Sequence, residues 1–312
     1  MHEESMETRR RSLPFRVLVR EYFELGKPRV VALIVFTAIV GMFLSVPGFV
    51  PLPALIYGTI GIGLAAASAA GFNQVLDRRA DAIMARTRGR PLPTGHLTTR
   101  QATVYSAIIG VLSMAILYFL VNPLTTVLTF LSLIGYSVIY TLYLKRATPQ
   151  NIVIGGAAGA APPVLGWVAA TGHVTADALL LFLIIFVWTP PHFWALALYR
   201  RDEYAKVELP MLPVIYGEKV TRLHILMYTV ALVAVTALPF ASGMSGWIYL
   251  IGTIPLDAIF LSYAWRMFRH YSDALARRTF VYSIQYLSLL FALLLVDHYG
   301  RAIVQSMQAA LH

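Results

Sequence analysis

The sequence LPALIYGTIGIGLAAASAAGFNQVLDRRAD occupies residues 52–81 and joins a long apolar run directly to charged residues. The apolar run covers residues 52–72, and a helix needs about 20 such residues to cross a bilayer. Asn73, Asp77 and Asp81 follow at intervals of four, so in a helix they lie on one face over roughly two turns. The stretch predicts a membrane-spanning helix that ends in one amide and two carboxylates, called here the Asn–Asp ladder.

Spacing alone leaves two interpretations of the Asn–Asp ladder open. Carboxylates at the edge of a hydrocarbon layer are costly unless another group offsets their charge. A magnesium ion that holds a diphosphate would do so, because Mg²⁺ binds one or two carboxylates together with phosphate oxygens of the substrate. The alternative is a solvated helix end at which the aspartates pair with the adjacent Arg78 and Arg79.

The composition of the whole chain indicates a membrane protein. Hydrophobic residues make up 58% of the 312 residues and charged residues only 13%, more apolar surface than a soluble domain of this length could enclose. We therefore predict an all-α fold with nine transmembrane helices. The predicted spans are residues 30–47, 52–72, 102–121, 124–144, 151–170, 177–199, 224–241, 246–267 and 279–298.

The basic residues predict how the chain is oriented. Of its 25 Lys and Arg residues, all but Arg301 lie before the first span or in and immediately beside every second connection. Because basic residues accumulate in cytoplasmic segments, we expect a cytoplasmic N-terminus and a site that opens to the cytoplasm. Residues 1–29 would be a cytoplasmic segment, residues 30–299 a single transmembrane domain, and residues 300–312 a tail on the opposite side.

Charge and cysteine content exclude several classes of protein. The net charge of +10 is explained by orientation in the membrane, so we expect no nucleic-acid partner. The chain has no cysteine, which excludes disulfides, thiolate metal sites and covalent haem attachment through CxxCH.

A basic segment follows the Asn–Asp ladder. Residues 86–95 read RTRGRPLPTG, in which prolines and glycines favour turns rather than helix. Arginines can bind phosphate oxygens in a bidentate fashion, so a basic loop beside carboxylates favours a diphosphate pocket. The alternative is ordinary topology-setting charge that attracts anionic lipids.

Prolines and glycines shape the fifth and sixth predicted spans. Broken helices within a membrane are tolerated where they line a cavity, so we expect the proline pairs to interrupt both spans beside a central pocket. These pairs are Pro162–Pro163 and Pro190–Pro191. Small residues allow transmembrane helices to approach closely, and we expect packing contacts at Gly155, Gly156 and Gly159.

Two polar side chains lie inside predicted spans. His192 stands in the segment TPPHFW, where Trp188 and Trp194 offer flat surfaces for a large planar substrate. The alternative is a histidine whose hydrogen bonds are satisfied within the core. Asp257 is a lone acid in the eighth span, which makes it either a functional residue or the acceptor of a structural hydrogen bond from a tyrosine or serine.

Four segments of the chain resemble one known family. LGKPRVV at residues 25–31 and NQVLDRRADAIMARTRGRPLPTG at 73–95 resemble the UbiA-type intramembrane prenyltransferases. YTLYLKRATPQNIVIGGAAGAAPPVLGWVAATG at 140–172 and WTPPHFWALALYRRDEYAKVELPMLPV at 188–214 are similar to the branch of that family that farnesylates haem b. The resemblance extends from about residue 20 to residue 295.

The resemblance implies roles for particular residues. Asn73, Asp77 and Asp81 match the first aspartate-rich motif, which binds Mg²⁺ and the prenyl diphosphate in this family. Asp202 and Glu203 fall in the second acidic motif, where Lys206 replaces the second aspartate of the usual DxxxD, so either residue could contact a second metal ion. The basic positions that match diphosphate-binding residues are Lys27, Arg29, Arg86, Arg90, Lys145 and Arg146. The residues that match the haem pocket of the family are His192, Trp188 and Trp194. The resemblance also implies a catalytic role for His192.

The resemblance also implies a reaction, with Mg²⁺ as the cofactor. The expected substrates are farnesyl diphosphate and haem b, and the expected products are haem O and diphosphate. The surroundings would be membrane lipid in the inner membrane of a bacterium, with haem A synthase or terminal oxidase subunits as candidate partners. The alternatives are a related prenyltransferase with an aromatic or tetrapyrrole acceptor, a secondary transporter, and a passive haem-binding subunit.

Overall fold

The structure, a computed structural model, describes residues 14–310. Residues 1–13 of the predicted N-terminal segment and residues 311–312 of the predicted tail lie outside the described residues. The described part is helical, as predicted, and contains no strand. Its helices are α1 (Phe15–Leu25), α2 (Pro28–Leu44), α3 (Leu52–Ile83), α4 (Thr99–Leu120), α5 (Pro123–Ile134), a π-helix (Gly135–Leu144) with a last turn Lys145–Ala147, α6 (Asn151–Ala160), α7 (Pro162–Thr171), α8 (Ala176–Tyr199), α9 (Arg201–Lys206), α10 (Leu212–Ile215), α11 (Gly217–Thr236), α12 (Leu238–Ala241), α13 (Trp247–Arg269) and α14 (Asp273–Ala310).

The number of spans agrees with the sequence prediction. Within residues 14–310, eight helices or continuous helix pairs are long and apolar enough to cross a membrane. A ninth span results if α1 and α2, which meet at an angle of 51°, are counted together. Helix α2 has 17 residues, slightly fewer than a typical transmembrane helix.

Capping residues explain several helix boundaries. The Thr98 hydroxyl accepts a hydrogen bond from the Gln101 backbone N–H, and the Gln101 side chain accepts one from the Thr98 N–H, which forms a capping box at the start of α4. Asn122 caps α5 through the Thr125 N–H at 2.8 Å. Thr175 caps α8 in the same way.

Helix α1 is an amphipathic helix that the sequence analysis did not predict. Its inner face packs on α3 and α4, with Leu25 fully buried and Tyr22 4.9 Å from the ring of Tyr105. The Gln74 amide, one residue after Asn73, donates hydrogen bonds to the carbonyl oxygens of Glu24 and Leu25. Because α1 is held against α3 in this way, Lys27, in the hinge between α1 and α2, lies beside the Asn–Asp ladder.

The prolines interrupt one predicted span but not the other. Helix α6 ends at Ala160 and α7 begins at Pro162, so the helical hydrogen-bond pattern is interrupted there as predicted, while Ala161 itself keeps a right-handed helical backbone. The predicted interruption at Pro190 and Pro191 is wrong, because α8 continues through both residues. A proline removes one backbone hydrogen bond, but its fixed φ is compatible with a helix. The surrounding bundle buries residues 188–192 and keeps this segment helical.

Glycines bring three pairs of helices into close contact: α2 with α7, and α6 with both the π-helix and α8. A Cβ atom at Gly166 of α7 would overlap the backbone carbonyl oxygen of Ala38, and one at Gly41 of α2 would overlap that of Pro163. In α6, Gly155 contacts the Tyr140 ring and Gly156 contacts Thr189, which confirms the expected packing role. The same expectation is wrong for Gly159, which has no neighbour within 4 Å of the position of a Cβ atom.

The buried acid Asp257 has two hydroxyl partners. Its carboxylate accepts hydrogen bonds from Tyr286 at 2.5 Å and from Thr236 at 3.0 Å. These bonds join α13 to α14 and α11, so Asp257 has the structural role that was one of its two predicted alternatives.

Candidate active site

The Asn–Asp ladder lies on one buried face at the end of α3. Asn73, Asp77 and Asp81 are between 4% and 5% exposed, although each has a polar head group. The Asn73 amide donates a hydrogen bond to Asp77 Oδ2 at 2.8 Å. Buried carboxylates require a partner, and the identity of that partner decides between the two interpretations of the ladder.

Each ladder residue contacts a cation from a different part of the chain. Lys27 Nζ donates to Asn73 Oδ1. Lys145 Nζ lies 2.5 Å from Asp77 Oδ2, and Arg90 Nη1 lies 2.6 Å from Asp81 Oδ2. These cations come from the hinge after α1, the turn after the π-helix and the loop after α3.

The interpretation of the ladder as a solvated helix end is wrong. Arg78 and Arg79 point away from the aspartates and are exposed. The Arg78 guanidinium donates to the backbone carbonyl of Val75 at 3.0 Å, not to a carboxylate. The ladder is a buried anionic face, and its charge is balanced by residues that lie outside α3.

Lys27 has an unusual backbone conformation and an unusual charge equilibrium. Its φ of 52° is in the left-handed region, which is rare for a residue other than glycine. Burial, together with the nearby charges of Arg90 and Lys145, lowers the pKa of Lys27 to about 7. A polyanion bound among these cations would raise the pKa of Lys27 again, because it stabilises the charged form.

A π-helix forms the wall of the site opposite the ladder. The Thr141 hydroxyl donates to the Tyr136 carbonyl at 2.8 Å and lies 3.5 Å from the Asn73 amide nitrogen. Tyr136 and Tyr140 are stacked with their ring centroids 5.5 Å apart. π-Helices occur frequently at functional sites, where the longer turn changes which side chains share a face.

The donor atoms of the ladder fit a magnesium ion that is shared with a phosphate ligand. Within residues 14–310, no three His, Asp or Glu side chains lie close enough together to bind one ion by themselves. The ladder offers two carboxylates and one amide oxygen. Mg²⁺ commonly binds one or two carboxylates and takes its remaining ligands from substrate phosphates and water, so this donor set suits it.

The structure brings half of the predicted basic residues to the ladder. Lys27, Arg90 and Lys145 contact it, as described above. The other three predicted positions, Arg29, Arg86 and Arg146, are exposed on the surface.

The second acidic cluster does not join the ladder in this structure. The Asp202 side chain is 89% exposed and lies 3.8 Å from Arg201. Glu203 is paired with Arg200 of the same segment. The binding of a second metal ion by Asp202 or Glu203 stays a prediction.

His192 is buried between two aromatic rings. Its ring centroid lies 4.2 Å from that of Trp188 and 4.6 Å from that of Phe280, and both contacts are stacked. His192 Nδ1 lies 2.6 Å from the Ser283 hydroxyl. Trp194 belongs to a different environment, because it packs against Tyr228 of α11 with a centroid distance of 5.3 Å.

The sequence did not predict several residues around the Asn–Asp ladder and around His192. Ser283 and Phe280 lie about ninety positions after His192, and no local pattern connects them to it. Thr141 and the stacked tyrosines were missed because the sequence has no clear signal for a π-helix. Gln74 could have been found, since it is a polar residue inside an otherwise apolar helix next to the ladder.

Fold and site together define a bundle of apolar helices that holds a buried anionic face paired with three basic residues. The model of the UbiA prenyltransferase family matches residues 34–293, and the chain belongs to this family. It is therefore a multi-pass membrane prenyltransferase.

Three relatives with similar sequences carry one name, protoheme IX farnesyltransferase. The protein of Nitrosospira multiformis is 62% identical over 91% of this chain and 95% of its own length. Those of Paraburkholderia xenovorans and Thiobacillus denitrificans are 60% and 59% identical, over 92% and 90% of this chain and 95% and 94% of their own lengths.

Solved structures share the fold at low sequence identity. A digeranylgeranylglyceryl phosphate synthase has a TM-score of 0.77 at 18% identity, covering 91% of this chain and 99% of its own. A UbiA homologue from Archaeoglobus fulgidus bound to DMAPP and Mg²⁺ has a TM-score of 0.62 at 18% identity, covering 88% and 99%. These similarities show the UbiA fold.

Proposed function

We propose that the protein transfers the farnesyl group of farnesyl diphosphate to a vinyl group of haem b, with addition of water, to give haem O and diphosphate. The observation that carries the diphosphate half of this proposal is the buried Asn–Asp ladder with a cation at each residue. The acceptor is inferred from relatives about 60% identical over nine-tenths of both chains, which are named for protoheme IX and farnesyl transfer.

The ladder and its cations divide the binding of the diphosphate between them. Asp77, Asp81 and the Asn73 amide oxygen would hold Mg²⁺, which supplies positive charge to the leaving oxygens. Lys145 and Arg90 would then exchange a carboxylate partner for phosphate oxygens, and Lys27 would exchange the Asn73 amide. A UbiA homologue from Archaeoglobus fulgidus that shares the fold was solved with DMAPP and Mg²⁺ bound, which supports the use of a divalent metal ion here.

The covalent step follows from this arrangement. The allylic C–O bond breaks, and its electron pair leaves with the diphosphate, which the fixed cations stabilise. The vinyl π electrons form the new C–C bond, water adds to the resulting cation, and one proton is released. A bundle interior delays the access of water to the first cation, which would otherwise give farnesol.

The acceptor would lie on the His192 side of α8. Trp188 and His192 offer stacked ring edges to a planar macrocycle, whereas Trp194 supports the opposite face of the helix. Helix α6 lies between the diphosphate side and the acceptor side of the site. Its Gly155 contacts Tyr140 of the π-helix, and its Gly156 contacts Thr189 of α8.

The orientation of the chain in the membrane is also a proposal. We place the N-terminal segment and the ladder on the cytoplasmic side of a bacterial inner membrane, as the basic residues and the bacterial relatives favour. Since the chain has no cysteine, single-cysteine variants report position directly. In intact spheroplasts, an impermeant maleimide should label His173→Cys, and it should label Thr94→Cys only after permeabilisation. The reverse pattern contradicts the proposed orientation.

A direct test of the acceptor uses the purified protein with farnesyl diphosphate and Mg²⁺. Parallel reactions would contain haem b, 4-hydroxybenzoate or chlorophyllide, and the products would be identified by mass spectrometry. We expect the mass of haem O in the haem b reaction and no prenylated product in the others. A prenylated aromatic acid or chlorophyllide, without haem O, would replace the proposed acceptor by another one.

A further inference from the structure

The hydroxyl group of Ser283 makes two short contacts but has only one proton. Ser283 Oγ donates to the backbone carbonyl of Phe280 at 2.7 Å, one turn earlier in α14. The same oxygen lies 2.6 Å from His192 Nδ1. With its proton on the Phe280 carbonyl, Ser283 Oγ can only accept from His192, so Nδ1 must carry a hydrogen.

The opposite ring nitrogen of His192 is then an unprotonated Lewis base. Within the described residues, Nε2 has no hydrogen-bond partner. Nε2 is not one of the fully enclosed polar atoms without a partner. It therefore borders open space, which agrees with the 7% exposure of His192. Trp188 and Phe280 cover the two faces of the imidazole, and therefore only its edge can be approached.

We propose that Nε2 of His192 binds the iron of the acceptor haem, and that Ser283 is the positioning residue that keeps Nε2 free for this bond. The inference rests on the proposed function, because it takes haem b as the acceptor. Neutral histidine is a common iron ligand, and the hydrogen bond at its other nitrogen usually fixes its tautomer and orientation.

The geometry around His192 suits an axial ligand. An iron on the ring edge would place the macrocycle across the edges of the three stacked rings, perpendicular to their planes. The iron would act only as an anchor, so no electron is transferred and the farnesyl step is unchanged. Fixing the iron limits how the macrocycle can move, which fixes the position of the reacting vinyl group.

Three other described histidines are poor candidates for the same role. His173 is exposed and His224 is half-buried, and each directs Nδ1 to a backbone carbonyl nearby. His298 Nε2 contacts the carbonyl of Val46, so this nitrogen already has a partner. His192 is the most enclosed of these residues and has a free Nε2.

The first test is a titration of the detergent-purified protein with ferric haem b, followed by absorption and electron paramagnetic resonance spectra. The wild type should give the spectrum of histidine-ligated haem, and His192→Ala should lose it. Added imidazole should restore that spectrum in His192→Ala. His224→Ala, which removes a half-buried histidine beside Trp194, is the matched control and should resemble the wild type.

The second test separates positioning by Ser283 from a packing role. Ser283→Ala should weaken haem affinity by about 10–100-fold, the usual effect of losing a hydrogen bond behind a metal ligand. Ser283→Thr keeps the hydroxyl and should restore the affinity. Metal-free protoporphyrin should bind equally to the wild type and Ser283→Ala, whereas a pure packing role would weaken both ligands.

The possible outcomes distinguish the two proposals. If His192→Ala binds haem with the wild-type spectrum, another group ligates the iron and this inference is wrong, while the proposed function stands. If the wild type binds no haem at all, the proposed acceptor itself is wrong.

Discussion

Replacing Asp77 by alanine is expected to abolish farnesyl transfer and leave the protein folded. Asp77 accepts hydrogen bonds from Asn73 and Lys145, whereas the Asp81 side chain pairs with Arg90 alone, so Asp77 is the ladder carboxylate with more side-chain partners. Its loss removes a carboxylate ligand of the proposed metal ion. Losing one fixed electrostatic contact to a transition state costs about 10²–10³-fold in turnover, and losing a metal ligand should cost at least as much.

The measurement is kcat for haem O formation at saturating Mg²⁺, together with the thermal unfolding midpoint of each variant. Asp81→Ala should behave like Asp77→Ala, because Asp81 is equally buried and pairs with Arg90. Asp177→Ala, in the first turn of α8, is the matched control and should retain wild-type kcat. Near-normal kcat in Asp77→Ala or Asp81→Ala would overturn the assignment of the ladder.

Replacing Gly166 by alanine is expected to destabilise the protein strongly, although the substitution adds only one methyl group. A Cβ at this position overlaps the Ala38 carbonyl oxygen, and backbone cannot rotate aside as a side chain can. Helices α2 and α7 would have to separate, which would also disturb the contact of Gly41 with Pro163. Overpacking of this kind costs about 1–3 kcal/mol, and a backbone overlap should lie at the upper end.

Gly159→Ala is a matched control for that substitution. It makes the same chemical change in the adjacent helix α6, where a Cβ meets no atom within 4 Å. Alanine is favoured over glycine within a helix by up to about 1 kcal/mol, so Gly159→Ala should be neutral or stabilising. Thermal unfolding in detergent, monitored by circular dichroism, would give the unfolding midpoint of both variants. Equal midpoints for the two variants would contradict the described contact between α2 and α7.

Much of the fold could be predicted from the sequence because hydrophobic runs report membrane spans directly. The spacing of Asn73, Asp77 and Asp81 also predicted their common face, since it depends only on helical geometry. Helix α1 was missed because its charged residues interrupt any apolar run. Its exposed Phe15, Val19 and Phe23, at intervals of four, were the available signal.

Contacts between distant segments could not be predicted from residue patterns. Nothing in the local sequence connects Lys27 to Asn73 or Ser283 to His192, because these contacts depend on how whole helices pack. The prolines of α8 were misinterpreted for a related reason. Proline weakens an isolated helix, but the packing of neighbouring helices decides whether the helix breaks.

The central claim is that departure of diphosphate at the ladder is coupled to farnesylation of haem. The most direct test measures diphosphate and haem O in the same reaction of the purified protein with farnesyl diphosphate, haem b and Mg²⁺. We predict equal amounts of the two products at every time point, and neither product in Asp77→Ala. Release of diphosphate at the same rate without haem b, or with haem b unchanged, would contradict the account.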